Sequence, residues 1–258
     1  MSAPRVPARS RFQGLAHVLR YNWPYYGAAA AAIVAAIAIT RWADLPAPVS
    51  WLIRTGAGVA AFWSLGSILV TFYVYDLSHL YRWHWLTTLL EHCPRRWATF
   101  HAGLDETSDA LRALYPGSQG EVFDVYDPRT MTEPSIERAR TSSGETTARK
   151  ADAGALPIAD SQIDAAFLIF AAHEIRDPVG RVRFFRELRR TLRPTGRIVL
   201  IEHLRDTWNF AAYGPGFRHF FSRAEWTRVA AAAGFSLQAE QSVTPFVRCF
   251  VFRKTVER

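Results

Sequence analysis

Cysteine is nearly absent: Cys93 and Cys249 are the only two in 258 residues. Neither lies in a metal-ligand spacing, so a disulfide scaffold and a cysteine-held metal are both excluded, and a reduced compartment follows. Acidic residues are missing from the first 20 positions, and residues 1–96 hold nine arginines against Asp44, Asp76 and Glu91, which is +6 of the chain's +8. Nucleic-acid binding calls for basic residues interleaved with stacking aromatics on a folded domain. Here the arginines flank apolar runs instead, which points away from nucleic acid and toward a membrane surface. No internal repeat is present.

The runs themselves are residues 23–40 (WPYYGAAAAAIVAAIAIT) and 55–75 (TGAGVAAFWSLGSILVTFYVY). As helices they extend about 27 and about 31 Å, near the thickness of a bilayer's hydrocarbon core. Tyr21, Trp23, Tyr25, Tyr26, Trp42 and Trp51 sit at their ends, where amphipathic rings meet headgroups. Gly56, Gly58, Ala60 and Gly66 offer close helix approach. The expectation is a two-helix transmembrane hairpin over 23–75, with a signal peptide or a buried helical pair as alternatives. Arg5, Arg9, Arg11 and Arg20 outweigh the short connection, which places the basic N-terminus (1–22) and everything after the hairpin in the cytosol. Residues 76–96, with Tyr81, Trp83 and Trp85 among basic residues, read as an interfacial linker. His79 and His84 have no acidic or cysteine partner spaced to complete a metal site, and no metal is expected.

The globular part, 97–258, is organised around residues 151–206. The apolar run 163–170 (IDAAFLIF) reads as a strand covered on both faces. Asp177 and Pro178 supply an N-cap and a first-turn proline. Val182, Phe185, Leu188 and Leu192 form the apolar stripe of a helix whose other positions are rich in arginine. Pro194, Thr195 and Gly196 make the turn into a second buried strand, 197–201. Strand, helix and parallel strand form one right-handed crossover. Around it, 97–102 and 121–126 read as strands, 107–114 as a helix, 141–147 as a polar loop, and 150–152 as a short strand. Ser222 to Glu225 opens a last helix as a capping box, and 235–240 and 246–252 are the final strands.

The segments DAGALPIADSQIDAAF, HEIRD and FFRELRRTLRPTGRIVLIEHLRD closely resemble the later motifs of the class I S-adenosylmethionine-dependent methyltransferases, particularly those acting on quinones and related lipids. The resemblance implies a Rossmann-like α/β fold, a seven-stranded mostly parallel sheet with an antiparallel pair at one edge, and S-adenosyl-L-methionine as cofactor. It places Asp152 and Ala153 beside the adenine and Phe170 to His173 at a cofactor-facing strand end. The family's first motif has an acidic residue and three alternating glycines. Residues 101–107 (HAGLDET) keep only Gly103, so His101 and Gly103 stand beside the methionine end, the side chains of Asp105 and Thr107 at the later glycine positions crowd it, and Asp105 or Glu106 repels its carboxylate while offering its ammonium a partner.

An acid ending the second strand is the usual partner of ribose hydroxyls; Asp127 takes that position, with Asp124 as rival. His173 and His203 are the candidate catalytic bases, with Glu174 and Glu202 as orienting carboxylates, although all four also suit plain strand-end capping. Phe210, Tyr213 and Phe217 suggest an apolar acceptor entrance, and Arg218 and His219 a polar head, unless the loop is simply packed. The function expected is membrane-anchored methyl transfer to a lipid-soluble small molecule. The alternatives are a methyltransferase-like binding protein without catalysis and an enzyme using the same cofactor for other chemistry. Oligomeric state is left open.

Overall fold

Ile163–Ile169 is buried at every position but Asp164, as its uninterrupted apolar run requires of a central parallel strand. It forms β4 of a seven-stranded sheet in the computed structural model, which describes residues 9–142 and 147–255. The strands are β1 (Arg96–His101), β2 (Gln119–Asp124), β3 (Arg149–Lys150), β4, β5 (Leu192–His203), β6 (Phe235–Thr244) and β7 (Val247–Lys254). Their order is β3-β2-β1-β4-β5-β7-β6. The first five are mutually parallel and β7 runs antiparallel to both β5 and β6. This Rossmann-like mixed sheet, with its antiparallel edge pair, is the architecture expected.

The helices are α1 (Gln13–Trp42), α2 (Ala47–Phe72), α3 (Ser108–Leu114), α4 (Pro134–Ser142), α5 (Pro178–Thr191), α6 (Thr207–Tyr213) and α7 (Arg223–Ala232). Asp177 caps α5, its Oδ2 accepting from Gly180 N–H at 2.6 Å. The buried face differs from the expected stripe: Phe184, Phe185 and Leu188 are buried while Val182 is only partly so. Arg181 goes inside as well, its Nη1 donating to the carbonyls of Ile175 and Arg176 and its Nη2 to Glu225, while Nε is left without a partner. Glu225 therefore completes only half of the capping box, its backbone N–H donating to the Ser222 hydroxyl oxygen. The expected turn at Pro194 to Gly196 lies inside β5, where Leu192 pairs with Ile163 ahead of a register shift. Of the polar loop, 143–146 lie outside the described residues, as do 1–8 of the basic N-terminus.

One face of the sheet packs against α5 and α7 through Phe184, Phe185, Trp226 and Val229. The other face packs against α3 and against Val74, Leu80, Trp83 and Leu86. Within the stretch expected as an interfacial linker, Leu80, Trp83 and Leu86 are thus buried in the domain core, while Leu77 stays exposed.

The two apolar helices are long and apolar enough to cross a membrane. Their inner ends dock on the domain. The Gly14 and Leu15 N–H groups, orphans of the first turn of α1, donate to the two carboxylate oxygens of Asp76 at 2.8 Å each. Gly14 permits this, since a Cβ there would stand 2.3 Å from that of Tyr75. Trp63 of α2 lies against Gly214 and edge-on to Phe210 of α6. Gly56 and Gly58 have nothing within 4 Å of a built Cβ, and Gly66 faces the Ala212 carbonyl. These glycines accommodate no close approach to α1, contrary to expectation.

Candidate active site

A cavity of about 860 Å³ lies at the carboxyl ends of β1, β4 and β5, and its far wall is the hairpin. Domain residues His101, Gly103, Phe170, His173, His203 and His219 line one side; Tyr21, Tyr26, Trp63, Ser67 and Thr71 line the other. Phe170 turns the chain out of β4 with φ +50°, a left-handed conformation that costs a bulky residue energy and is typical of functional strand ends. Its ring stacks on His203 at 5.2 Å.

His173 is the hub of the polar end. Its Nδ1 is 2.7 Å from Glu202 Oε2, its Nε2 is 3.2 Å from Glu174 Oε1, and its backbone N–H donates to Glu202 Oε1. Burial works against a charge on this ring, but the two carboxylates outweigh it and hold its pKa up at about 10. Glu174 is held below its ordinary value despite burial, chiefly by His173. His219 meets His173 edge-on at 5.0 Å. Burial, with the charge of His173 behind it, pushes His219 down to about 4 and leaves it neutral.

His203 is equally buried, and its pKa is pushed down to about 4, mainly by desolvation. In the neutral ring Nδ1–H donates to the Phe246 carbonyl at 2.9 Å, leaving Nε2 to accept from the Tyr75 hydroxyl at 2.9 Å. Neither histidine singled out from the sequence is a free base: His173 is doubly bonded, and the lone pair of His203 is taken by Tyr75.

Glu106 closes another side. Its carboxylate meets Arg9 and His17 through Oε1 and accepts from the Tyr81 hydroxyl through Oε2. These partners hold its pKa low although burial pushes the other way. His101, at the end of β1, is buried with no hydrogen-bond partner on either ring nitrogen.

The ends of β2 and β3 are different. β2 stops at Asp124, which is 3% exposed and paired bidentately with Arg140 of α4 at 2.8 and 2.9 Å. Arg140 also bonds the Ala102 carbonyl and covers the Tyr126 ring. Asp127 lies beyond the strand on an exposed loop, held by Arg129, and is not at the cavity. Asp152 turns onto its own loop, accepting from Gly154 N–H at 2.7 Å, and neither it nor Ala153 lines the cavity. Asp105 caps the start of α3 through Thr107 and Ser108 N–H instead of facing a ligand. Of the acceptor residues, Tyr213, Arg218 and His219 reach the cavity, whereas Phe217 packs on Phe210 and Phe210 on Trp63. Sequence reasoning missed Tyr75, Tyr81 and the hairpin wall, since nothing local ties them to strand ends far along the chain.

Residues 126–200 match a family model described as a methyltransferase domain. No curated protein matches the chain. Among solved structures it is similar to a mitomycin 7-O-methyltransferase, at 13% identity and TM-score 0.50 over 96% of this chain and 74% of that one. A SAM-dependent methyltransferase from Methanosarcina mazei aligns at 17% identity and TM-score 0.49, over 67% and 98% of the respective chains. A 1,6-didemethyltoxoflavin-N1-methyltransferase from Burkholderia thailandensis, with bound S-adenosylhomocysteine, aligns at 19% and 0.47, over 83% and 93%. The findings support a methyltransferase that uses S-adenosylmethionine.

The fit of that cofactor divides in two. His101 and Gly103 line the cavity at the end of β1, where its amino-acid end would lie, and a side chain at Gly103 would touch Ile136 and Ala139. Its nucleoside end does not fit α4 as placed, because Arg140 already occupies the strand-end carboxylate that ribose hydroxyls need.

Proposed function

We propose that this protein is a membrane-anchored methyltransferase acting on a lipid-soluble small molecule of the quinone type. The observation that carries this reading is the shared wall of the cavity: Trp63, Ser67 and Thr71 of an apolar helix face His173, Glu174 and His219 of the domain. An acceptor with an apolar body and an oxygen-bearing head matches that polarity, the body lying toward the hairpin and the head against the polar cluster.

Anchoring is supported by the outer part of the hairpin, which exposes Val34, Ile37, Trp42, Trp51 and Leu52. Beyond Tyr26, the last cavity residue of α1, 16 residues remain to Trp42, or about 24 Å of helix. That reaches most of the way through a hydrocarbon core of about 30 Å and sets Arg41, Asp44 and Arg54 at the far interface. With the basic N-terminus held cytosolic, the domain lies on the cytosolic side.

The test is transfer of labelled methyl from S-adenosylmethionine into a membrane lipid extract by the full-length protein in vesicles. Label should enter an organic-soluble product, and Ser67→Trp, which fills the wall, should abolish it while the chain stays folded. Label in no lipid fraction overturns the reading. The pairing of Asp124 with Arg140 favours a second reading, a methyltransferase-like binding protein without catalysis. Calorimetry with S-adenosylmethionine separates the two when neither the cofactor nor its demethylated product binds.

A further inference from the structure

The cluster of His173, Glu174 and His219 has the composition of a metal site, two imidazoles and one carboxylate. One ligand atom from each lies within 4.8 Å of the others. Around an ion with bonds near 2.0–2.1 Å, tetrahedral ligands stand about 3.3 Å apart. His173 Nε2 and Glu174 Oε1, at 3.2 Å, already meet that spacing, so only His219 has to close in. Arg176 ties the two carrying turns together, its guanidinium donating to the main-chain carbonyls of both His173 and His219.

Three further features belong to a metal centre. Glu202, fully buried, accepts from His173 Nδ1 at 2.7 Å, the carboxylate–histidine arrangement that fixes a ligand ring and leaves Nε2 for the ion. Glu174 Oε2 is buried without a hydrogen-bond partner, an unmet acceptor beside the candidate centre. Third, the three residues open on the large cavity, so a coordination position is left for a small molecule, as in catalytic and not structural sites. Charge is adequate: Glu174, Glu202 and Glu133, whose Oε1 is 3.5 Å from His219 Nδ1, face Arg176 and Arg218. An ion would replace the proton shared between His173 Nε2 and Glu174 Oε1.

We infer that His173, Glu174 and His219 bind one divalent transition-metal ion, of the class of zinc, manganese or cobalt, with its open position facing the cavity. A two-histidine, one-carboxylate donor set suits these cations. The site stands whether or not methyl transfer occurs. Its use, holding the oxygen of an acceptor, rests on the function proposed above.

The test is Co²⁺ titration of the untagged full-length protein in detergent, stripped with chelator, followed by visible absorption and competition with Zn²⁺, without cofactor or acceptor. One saturable band per chain, quenched by Zn²⁺, is expected. It should vanish in His219→Gln and in Glu174→Gln, and weaken about 10- to 100-fold in Glu202→Gln. Circular dichroism identifies any variant that has failed to fold, leaving the other two to decide. No saturable band in the wild type, or a band unchanged in folded His219→Gln, overturns the site and assigns any binding to surface histidines such as His79 or His84. Metal binding without labelled-methyl transfer keeps the site and rejects the enzyme.

Discussion

Asp124 and Glu202 lie at the carboxyl ends of β2 and β5, with β1 and β4 between them, and both are buried carboxylates with a basic partner. Asp124 is closed off: Arg140, carried by α4, fills both of its oxygens. Glu202 is closed on its own side too, but its partner His173 still presents Nε2 toward a cavity of about 860 Å³. On the proposed function the Asp124 end is the nucleoside half of the crevice, spent on internal pairing, and the Glu202 end is the acceptor half, opening on a pocket. The same strand-end position serves stability in one case and site geometry in the other, and the partner's second donor decides which.

The largest expected effect falls on the acceptor half. Glu202→Leu leaves His173 buried without its main counter-charge, and should cost about 3–5 kcal/mol of folding stability, as breaking one side of a buried pair does. Arg140 is 24% exposed and keeps the Ala102 carbonyl, so Asp124→Asn should cost distinctly less. Denaturant unfolding of both variants in one detergent checks the ranking. Equal losses would mean that the two carboxylates play the same structural role.

The nucleoside half is tested next, by cofactor affinity. If α4 releases Asp124 to a ribose, Asp124→Asn should weaken S-adenosylhomocysteine binding by about tenfold, equivalent to about 1.4 kcal/mol, whereas Asp127→Asn should leave it unchanged. The reverse order would restore the position read from the sequence. Calorimetry decides.

How much was legible follows from the same contrast. The central strand, the Asp177 cap and the Ser222 cap were readable because each rests on local pattern: an apolar run, a cap beside a proline, a capping serine; the mixed sheet and its antiparallel edge came from the family resemblance. His101, Gly103, Phe170, His173 and His203 line one cavity for a related reason, since strand ends converge in any parallel sheet. Asp127 and Asp152 were misplaced by the short extent of β2 and β3, which end at Asp124 and Lys150. A boundary error of two or three residues moves an acid off the crevice. The hairpin wall was illegible for another reason. Tyr75 and His203 are 128 residues apart, and an apolar helix announces a bilayer, not a pocket.

That joint supplies a smaller effect. Asp76→Ala frees two first-turn N–H groups of α1 and should cost about 0.5–2 kcal/mol, the value of an N-terminal cap. If the acceptor half depends on hairpin docking, the loss should appear with faster proteolysis between α2 and β1, and the Asp124 region should be unaffected. Uniform protection would uncouple the two halves.

The last effect is a slope with pH. His203 has a folded pKa of about 4, below the ordinary 6.5, so the unfolded chain binds more protons between these values. Its contribution is present in full above about pH 6.5 and is lost as pH falls through about 4. Protonation would also put a hydrogen on Nε2, where the Tyr75 hydroxyl now donates, and add charge beside His173. His219 has the same sign and adds to the slope, whereas His173, raised to about 10, stays protonated across this window. In chelator-treated protein, melting temperature should therefore fall on acidification from pH 6.5 to 4 more steeply in the wild type than in His203→Asn, which has no proton to gain. Parallel curves would show that the contact between Tyr75 and His203 does not hold the hairpin to the acceptor half.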